Sequence, residues 1–580
     1  MKLQQKAVAL AGLSYIALAI FHIPDGIFRH IFDKNAPAQL FGLTVIAAIF
    51  AIYIALKPER FRFHRLAIYG AAALLLTQFT SLIMSGNLMG SLIGDAGRFV
   101  GTASVIALLL VSIFHTQFKF EAFVTLTRFY LVAVEAVCVV GLAQHFNLIE
   151  MPGDQGISAT LGNTDFFAAF IGTAFPLLLF VALNSSRKGQ ILVGALAILN
   201  IVALRLAGPL QGYLDIAFTF VGGLILVLRK YLPRRNWTLN ARTYIGTFAV
   251  IIWAEFIFLM PFLGHFIPVL GNDVQVKIRS NFWLAGMRQF FSHPFIGVGP
   301  DQYGNYYEQY RTISDIKQYS NILSNDAHSA SVQTLATTGI LGTIAFLFLL
   351  ALVIRSLLIL WDSRTINRKA LFALGLYLFV YLTNSFISPI TLTHKFLFWA
   401  ICGFIVGQVY RLPARASLPK AKVRLSALAI GAVMVLIATI FAQGQLNYMV
   451  SIEKYAVDNK AIIDYKPSPI IPCMMYFDAE LLMAVNKGND YAIQFIKNEL
   501  KQNPRCVSAQ LNLTRAAVNS GNLKGLKEYV YQLYRIAPAR SETLSFGMYY
   551  ANRTGDHKFA AELQKTMRTL GLTYIPGKLG

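Results

Sequence analysis

The sequence predicts an all-α, polytopic membrane protein with a helical domain near its C-terminus. Of its 580 residues, 56% are apolar and only 14% are charged, whereas a soluble globular protein has about 25% charged residues. Apolar blocks of about 20 residues recur along the chain, and this is the length that crosses a bilayer core as a helix. A weaker repeat near the C-terminus predicts paired helices outside the membrane.

The first apolar block begins behind two lysines. Lys2 and Lys6 precede the run, and no small-residue cleavage pattern follows it, so we interpret the block as a retained signal anchor. Twelve further blocks give thirteen predicted spans, near residues 5–24, 39–56, 66–85, 99–115, 127–147, 165–183, 190–207, 211–228, 243–263, 331–354, 370–388, 392–410 and 425–443.

The formal net charge of +23 comes from the short connections between the spans. A basic balance can indicate nucleic-acid binding, but here basic stretches such as KPERFRFHR and RKYLPRRNWTLNAR alternate regularly with connections that carry few lysines or arginines. This pattern is typical of loops retained on the cytoplasmic side. It predicts a cytoplasmic N-terminus and, with an odd number of spans, a C-terminal tail on the outer side.

Two segments on the predicted outer side are large. One is the loop at 264–330, inside a transmembrane domain that we assign to residues 1–443. The other is the tail at 444–580, in which Gly488, Gly521 and Gly555 recur at intervals of 33 and 34 residues. This period is typical of tetratricopeptide-like helical hairpins. Such hairpins could bind a partner protein, or they could form a cap that supports the large loop.

The four cysteines form no metal-binding pattern. Cys138 and Cys402 lie in apolar spans and are expected to be packing residues, while Cys473 and Cys506 lie in the tail. A tail in an oxidising compartment would allow these two to form a disulfide, and free thiols are the alternative. Because no Cys/His cluster or paired acidic motif is visible, we expect neither a metal nor another cofactor.

A short set of polar residues stands at the predicted outer ends of the spans and in the large loop. Charged side chains at membrane depth are costly, so several on one side indicate a polar cavity. Taken alone, each arginine reads as a snorkelling anchor and the histidine as a helix cap. The set consists of Arg98, Asn163, Asp165, Arg205, Gln211, Arg279, Asp301, Asp326, His328 and Ser329.

These residue types favour one kind of chemistry. A neutral imidazole such as that of His328 can accept a proton from a hydroxyl near pH 7. Arginines such as Arg279 carry a permanent charge and a donor fork that matches phosphate. Asp326, His328 and Ser329 are too close in sequence to form a convincing catalytic triad. A base with a phosphate clamp predicts group transfer from a lipid-linked phosphate or diphosphate onto an alcohol.

The stretch that follows His328 reads HSASVQTLATTGILGT. We expect His328 at the start of the tenth span, where the helix dipole would help to keep the ring neutral. Gly339 and Gly342 lie about one turn apart, so we expect them to allow the close approach of a neighbouring helix.

Several motifs resemble those of the O-antigen ligase and polymerase superfamily, which includes lipopolysaccharide O-antigen ligases, O-antigen polymerases and pilin-type O-oligosaccharyltransferases. The stretch from His328 to Thr343 is similar to the histidine signature of the superfamily. RSNFWLAGMRQFFSHPFIGVGPDQYGNYY resembles the block of its large periplasmic loop. LIGDAGRFVGT and LGNTDFFAAFIGTAFPL resemble two weaker elements. The resemblance covers about residues 85–410.

This resemblance implies a GT-C-like enzyme of the bacterial inner membrane whose donor is a glycan on undecaprenyl diphosphate. It implies metal-independent transfer with inversion, with His328 as the base or as the group that orients the acceptor, and with Arg279 on the diphosphate. Arg98 and Asn163 would line the donor site, with Asp301, Asp326 and Ser329 as supporting residues.

The chain departs from the family pattern at two places. The family has a Ser-Arg-Gly near the eighth span, where this chain has GPLQG. Arg205 and Gln211 are the candidates to replace its arginine at the diphosphate. Asp165, a further supporting candidate, stands where asparagine is commoner.

The sequence leaves the acceptor open. It could be the lipid A core of lipopolysaccharide or a serine or threonine of a protein, as in protein glycosylation, and the tail favours a protein acceptor or partner. A polymerase that joins one lipid-linked glycan to another is the first alternative. A transporter of lipid-linked sugar is the second, although we see no pair of similar halves. An inactive scaffold is the third, because the family arginine is missing.

Overall fold

The computed structural model describes residues 2–22, 35–61, 65–95, 98–151, 156–228, 238–261, 273–319, 322–409, 419–457 and 503–572, with isolated positions between 493 and 501. The regular structure in these residues is helical, and no strand occurs among them. The helices up to the large loop are α1 (Lys2–Ile20), α2 (Asn35–Leu56), α3 (Arg65–Met84), α4 (Leu88–Ile93), α5 (Thr102–His115), α6 (Phe120–His145), α7 (Thr164–Gly172), α8 (Phe175–Leu183), α9 (Arg187–Ala207), α10 (Leu210–Leu228) and α11 (Leu239–Leu259).

The first of the remaining helices lie in the predicted large loop, and the others follow it along the chain. They are α12 (Val274–Ser292), α13 (Tyr303–Tyr310), α14 (Ile313–Gln318), α15 (Ala330–Ser363), α16 (Arg368–Ile387), α17 (Leu392–Val409), α18 (Lys420–Val457), α19 (Val507–Asn519), α20 (Leu523–Ile536), α21 (Ser541–Thr554) and α22 (His557–Leu570). The large loop is therefore helical over much of its length.

The all-helical, polytopic class that the sequence predicts is confirmed. Each of the thirteen predicted spans overlaps a helix, and the sixth is divided between α7 and α8. Ten spans in the described residues are long and apolar enough to cross a membrane, by length and composition alone. The apolar parts of α5 and α10 are shorter, and α1 is not among the ten. The exact count of thirteen crossings stays a prediction.

The chain forms two compact units, each assembled from distant segments. The first comprises residues 1–76, 103–257 and 344–439. In this unit α1 packs on α6, α8 on α16 and α10 on α7. Stacked aromatic rings hold its core, with ring centroids 3.9 Å apart for Phe50 and Phe114 and 3.7 Å apart for Phe123 and Phe404.

The second unit comprises residues 77–102, 258–343 and 440–580. It therefore combines the large loop with the tail. Two described hairpins of the tail, α19–α20 and α21–α22, share a buried core that includes Leu526, Leu533 and Leu563. Their turns contain Gly521 and Gly555, both with positive φ. The first predicted repeat, with Gly488, lies outside the described residues, and the assignment to the tetratricopeptide family stays a prediction.

The tail packs on α13 of the large loop. The guanidinium of Arg505 lies 3.7 Å from the ring centroid of Tyr306, and its Nε donates to the carbonyl of Asn305 at 3.1 Å. Arg540 forms an ion pair with Glu308 at 2.8 Å. Cys506, beside Arg505, is disulfide-bonded, whereas Cys473 lies outside the described residues.

A break in α15 contradicts our interpretation of its glycines. Gly339 has φ 65° and ψ −168°, so the helix is interrupted there. A Cβ at Gly339 would lie 2.4 Å from the carbonyl of Phe295, which belongs to the His-Pro-Phe stretch after α12. At this glycine the close neighbour is therefore the backbone of the turn after α12 and not a second helix. A Cβ at Gly342 would instead meet the side chain of Thr338.

Four hydrogen bonds satisfy the backbone that the break exposes. The amides of Val298 and Gly299 donate to the carbonyls of Ala336 and Thr337, at 2.9 and 3.0 Å. The amides of Ile340 and Leu341 donate to the carbonyls of Pro294 and Phe295, at 2.8 and 3.2 Å. Irregular backbone at membrane depth needs such protein partners. The four bonds fix residues 294–299 of the large loop to α15, the helix that follows His328.

Candidate active site

His328 lies two residues before α15, close to the predicted helix start. Ser329 begins the first turn, because its carbonyl accepts the amide of Gln333 at 2.7 Å. His328 itself has φ 53°, which is uncommon for a residue other than glycine. The amide of His328 donates to Oδ1 of Asp326 at 2.7 Å, and this bond helps to hold the turn.

The imidazole of His328 is oriented through one nitrogen. Nδ1 lies 3.0 Å from the carbonyl oxygen of Asp326. A carbonyl can only accept, so Nδ1 carries the proton and Nε2 has the lone pair. Within the described residues, Nε2 makes no hydrogen bond, and the side chain is half-buried. The ring therefore presents a basic nitrogen to whatever enters the site.

Burial lowers the pKa of His328 from 6.5 to about 4, and the positive charge of Arg98 is the next cause. Asp326 opposes the shift, and Arg279 adds to it. The sequence predicted a neutral ring from the helix dipole, and in the structure burial and the charges of two arginines also favour the neutral form. Because the charges of Arg98 and Arg279 both act on His328, these three predicted residues lie in one neighbourhood.

Arg279 is helical, contrary to our expectation of a loop residue. It lies in α12, whose N-terminus is capped by the side chain of Asp273, bonded to the amide of Val276 at 3.0 Å. One turn further on, α12 packs against His328. The ring of Phe282 lies 4.9 Å from the imidazole, and Nε1 of Trp283 donates to the carbonyl of His328 at 3.3 Å.

Arg98 is joined to the same turn by a residue that the sequence reasoning missed. Nε of Arg98 donates to Oδ1 of Asn325 at 3.2 Å. An asparagine in a loop carries no distinctive sequence signal, although its place next to Asp326 could have drawn attention to it.

The three supporting candidates of this unit have structural partners. Asp326 accepts the amide of His328. Ser329 is buried, with Oγ 3.0 Å from Oγ of Ser331. Asp301 accepts the amides of Asp95 and Val100. Among the described residues none of these three side chains is hydrogen-bonded to the imidazole, so they form no triad with it, and their supporting role stays a prediction.

Two candidates of the first unit stand at the start of α7. The side chain of Asn163 caps the helix, and its Oδ1 accepts the amide of Asp165 at 2.7 Å. Asp165 lies in the first helical turn, where a negative charge is favoured. These contacts account for Asn163 and Asp165 as parts of a helix start, and their place in the donor site stays a prediction.

The other two candidates of the first unit differ in their surroundings. Arg205 is exposed in the last turn of α9. Gln211 donates from Nε2 to Oδ1 of Asn384, and Nδ2 of Asn384 contacts both carboxyl oxygens of the buried Asp215, at 2.8 and 2.9 Å. Asn384 and Asp215 are polar residues inside apolar spans, a signal that the sequence reasoning passed over.

No group of three or more His, Cys, Asp or Glu side chains in the described part of the chain could hold a metal ion. The acidic residues near His328 are instead occupied with backbone amides. The chemistry available at this site comes from one imidazole and two guanidinium groups.

An imidazole with a free nitrogen beside two arginines, in a multi-pass membrane protein, defines a candidate group-transfer site. Residues 168–347 match the family model described as O-antigen ligase. This part of the chain therefore resembles the O-antigen ligase domain, and the match supports glycosyl transfer of ligase or polymerase type in general. The match includes Arg279 and His328, whereas Arg98 precedes it. No curated protein matches the chain.

Proposed function

We propose that the protein transfers a glycan from undecaprenyl diphosphate onto an acceptor hydroxyl, without a metal ion. The observation that carries this proposal is the neutral imidazole of His328, with Nε2 open, beside the permanent charges of Arg98 and Arg279. The reaction requires a base that accepts the proton of the acceptor hydroxyl and positive charge that stabilises the leaving diphosphate. The imidazole and the two guanidinium groups would supply them.

The residues have separate tasks in the transfer. Nε2 of His328 accepts the proton of the acceptor hydroxyl, and the oxygen attacks the anomeric carbon of the donor sugar. The bond between that carbon and the diphosphate oxygen breaks on the opposite face, which inverts the configuration. Arg279 and Arg98 stabilise the negative charge that develops on the diphosphate.

We also propose a bacterial inner-membrane location with a cytoplasmic N-terminus. The alternating basic connections support this orientation. It would place His328 and the tail in the periplasm. The disulfide of Cys506 is consistent with such an oxidising compartment.

The test combines the purified full-length protein with a lipid-diphosphate glycan and a panel of acceptors. The panel contains lipid A core, a serine-rich peptide and a second lipid-linked glycan, and mass spectrometry identifies the product. A single addition to lipid or peptide supports ligation, while a ladder of repeats shows the polymerase alternative. Absence of transfer to any acceptor would contradict the proposal.

Variants assign the roles. We expect His328→Ala to reduce turnover by about 10²–10⁴-fold, as for loss of a general base. Arg279→Lys should resemble Arg279→Ala, because an ammonium lacks the bidentate fork. EDTA should leave transfer unchanged.

Two control variants match these changes. His557 is an exposed tail histidine. Arg288 lies on α12 like Arg279 but contacts the carbonyls of Tyr310 and Arg311. His557→Ala and Arg288→Ala should retain transfer. Near wild-type transfer by both His328→Ala and Arg279→Ala would refute the assignment.

A further inference from the structure

One carboxyl group holds the backbone on either side of Arg98. Oδ2 of Asp301 accepts hydrogen bonds from the amides of Asp95, at 2.8 Å, and Val100, at 3.0 Å. A single oxygen atom thus holds the backbone three residues before Arg98 and two residues after it. Gly94 leaves space for this contact, because a Cβ there would lie 2.5 Å from the same oxygen.

The surroundings of the Asp301 side chain suit a hydrogen-bond acceptor rather than a group that reacts with a substrate. Asp301 is 3% exposed, and burial, followed by the nearby Asp95 carboxylate and, more weakly, by Asp326, raises its pKa well above the usual range. An asparagine has the same shape and offers an amide oxygen that can accept hydrogen bonds from the same two backbone amides. The φ of 57° at Asp301 is also one that Asp and Asn tolerate better than most residues.

Arg98 connects this clamp to His328. Its Nε donates to Asn325, three residues before His328, and its charge helps to keep the imidazole neutral. The other charged groups that act on His328 are Asp326 and Arg279. A change that frees Arg98 should therefore be visible in the protonation of His328.

We propose that Asp301 is a positioning residue that fixes Arg98 beside His328 by tying the amides of Asp95 and Val100. Its importance for transfer rests on the proposed function, whereas the placement of Arg98 does not. Asp301 takes no proton from a substrate. The clamp needs one acceptor oxygen at this position, which asparagine supplies and alanine does not.

The protonation of His328 can be followed without activity. Diethyl pyrocarbonate modifies neutral imidazoles, and peptide mass spectrometry gives its rate at His328 separately from the other histidines. In the wild type the rate, corrected for reagent hydrolysis, should stay nearly constant between about pH 5.5 and pH 7.5, because the pKa is about 4. An ordinary pKa of about 6.5 would give about a tenfold rise over this range.

Three variants of the full-length protein test the clamp. Arg98→Gln removes the guanidinium, and the rise that it produces sets the scale. Asp301→Ala should reproduce this rise, and Asp301→Ala combined with Arg98→Gln should add nothing. Asp301→Asn should retain the flat profile of the wild type. If Asp301→Ala does not elute as a folded protein, Asp301→Ser replaces it, since its hydroxyl is too short to reach both amides.

Two results would overturn the proposal. One is a profile for Asp301→Ala or for Arg98→Gln that stays as flat as that of the wild type. The other is an Asp301→Asn profile that rises, because the acid itself would then be required. Glycan transfer is the second readout, in which Asp301→Ala should match Arg98→Gln in both kcat and KM. If the wild type transfers no glycan, the proposed function fails, and the modification profiles still decide the placement of Arg98.

Discussion

The break at Gly339 allows a quantitative test of the fold around the site. The backbone angles of Gly339, φ 65° and ψ −168°, lie in a region that is essentially restricted to glycine. A methyl group there would lie 2.4 Å from both atoms of the Phe295 carbonyl. Gly339→Ala therefore strains α15 and pushes away the segment that satisfies its broken backbone.

The expected cost follows from these contacts. Backbone strain of this kind costs about 1–3 kcal/mol. The displaced segment takes part in the four hydrogen bonds across the break, and the net value of each is about 1 kcal/mol. If half of them are lost, Gly339→Ala reduces the free energy of unfolding by about 3–5 kcal/mol.

The assay is thermal unfolding of the purified protein in detergent, followed by circular dichroism. The matched control is Gly375→Ala in the neighbouring α16, where an added Cβ would meet no heavy atom within 4 Å. This control should be neutral or stabilising by up to about 1 kcal/mol, because alanine favours helix over glycine. An unfolding midpoint for Gly339→Ala equal to that of Gly375→Ala would refute the reasoning.

Three further predictions concern charged groups outside the spans. Since the pKa of His328 is lowered to about 4, kcat/KM for transfer should stay flat as pH falls from neutrality and decline only near pH 4, and an acid limb near pH 6.5 would contradict this. Arg311 and Asp315 form a buried ion pair at 2.7 Å, so Arg311→Leu should cost about 3–5 kcal/mol in chemical denaturation. The partly exposed pair of Arg540 and Glu308 should contribute at most about 1 kcal/mol, so Arg540→Ala should unfold close to wild type.

The helices were predictable because the membrane imposes a strong local signal. A span must satisfy its backbone internally and be apolar over about 20 residues, so composition alone locates it. The division of the sixth span into α7 and α8 gives a weaker signal, because the residues on both sides of Thr173 remain apolar and Pro176, in the first turn of α8, is the residue that indicates a new helix. The break at Gly339 was also missed, since it depends on hydrogen bonds to a segment about 40 residues earlier.

The site was predictable as a set of residue types but not as a geometry. His328, Arg98 and Arg279 were predicted from their chemistry. In the structure both arginines lie near enough to His328 for their charges to lower its pKa. The roles of the acids were not visible in the sequence. The side chains of Asp301 and Asp326 accept hydrogen bonds from backbone amides. Which amide lies within reach of each side chain depends on the fold of the loop.

The amide chain of Gln211 shows why such roles need a structure. The carboxyl oxygens of Asp215 accept hydrogen bonds from Nδ2 of Asn384, which directs Oδ1 of Asn384 towards Nε2 of Gln211. One N–H of Gln211 Nε2 is then committed, while its second N–H and its amide oxygen remain for other partners. The remaining N–H can donate to a phosphate oxygen, but it carries no charge. Gln211 therefore cannot supply the charge of the missing family arginine, and its place at the diphosphate stays a prediction.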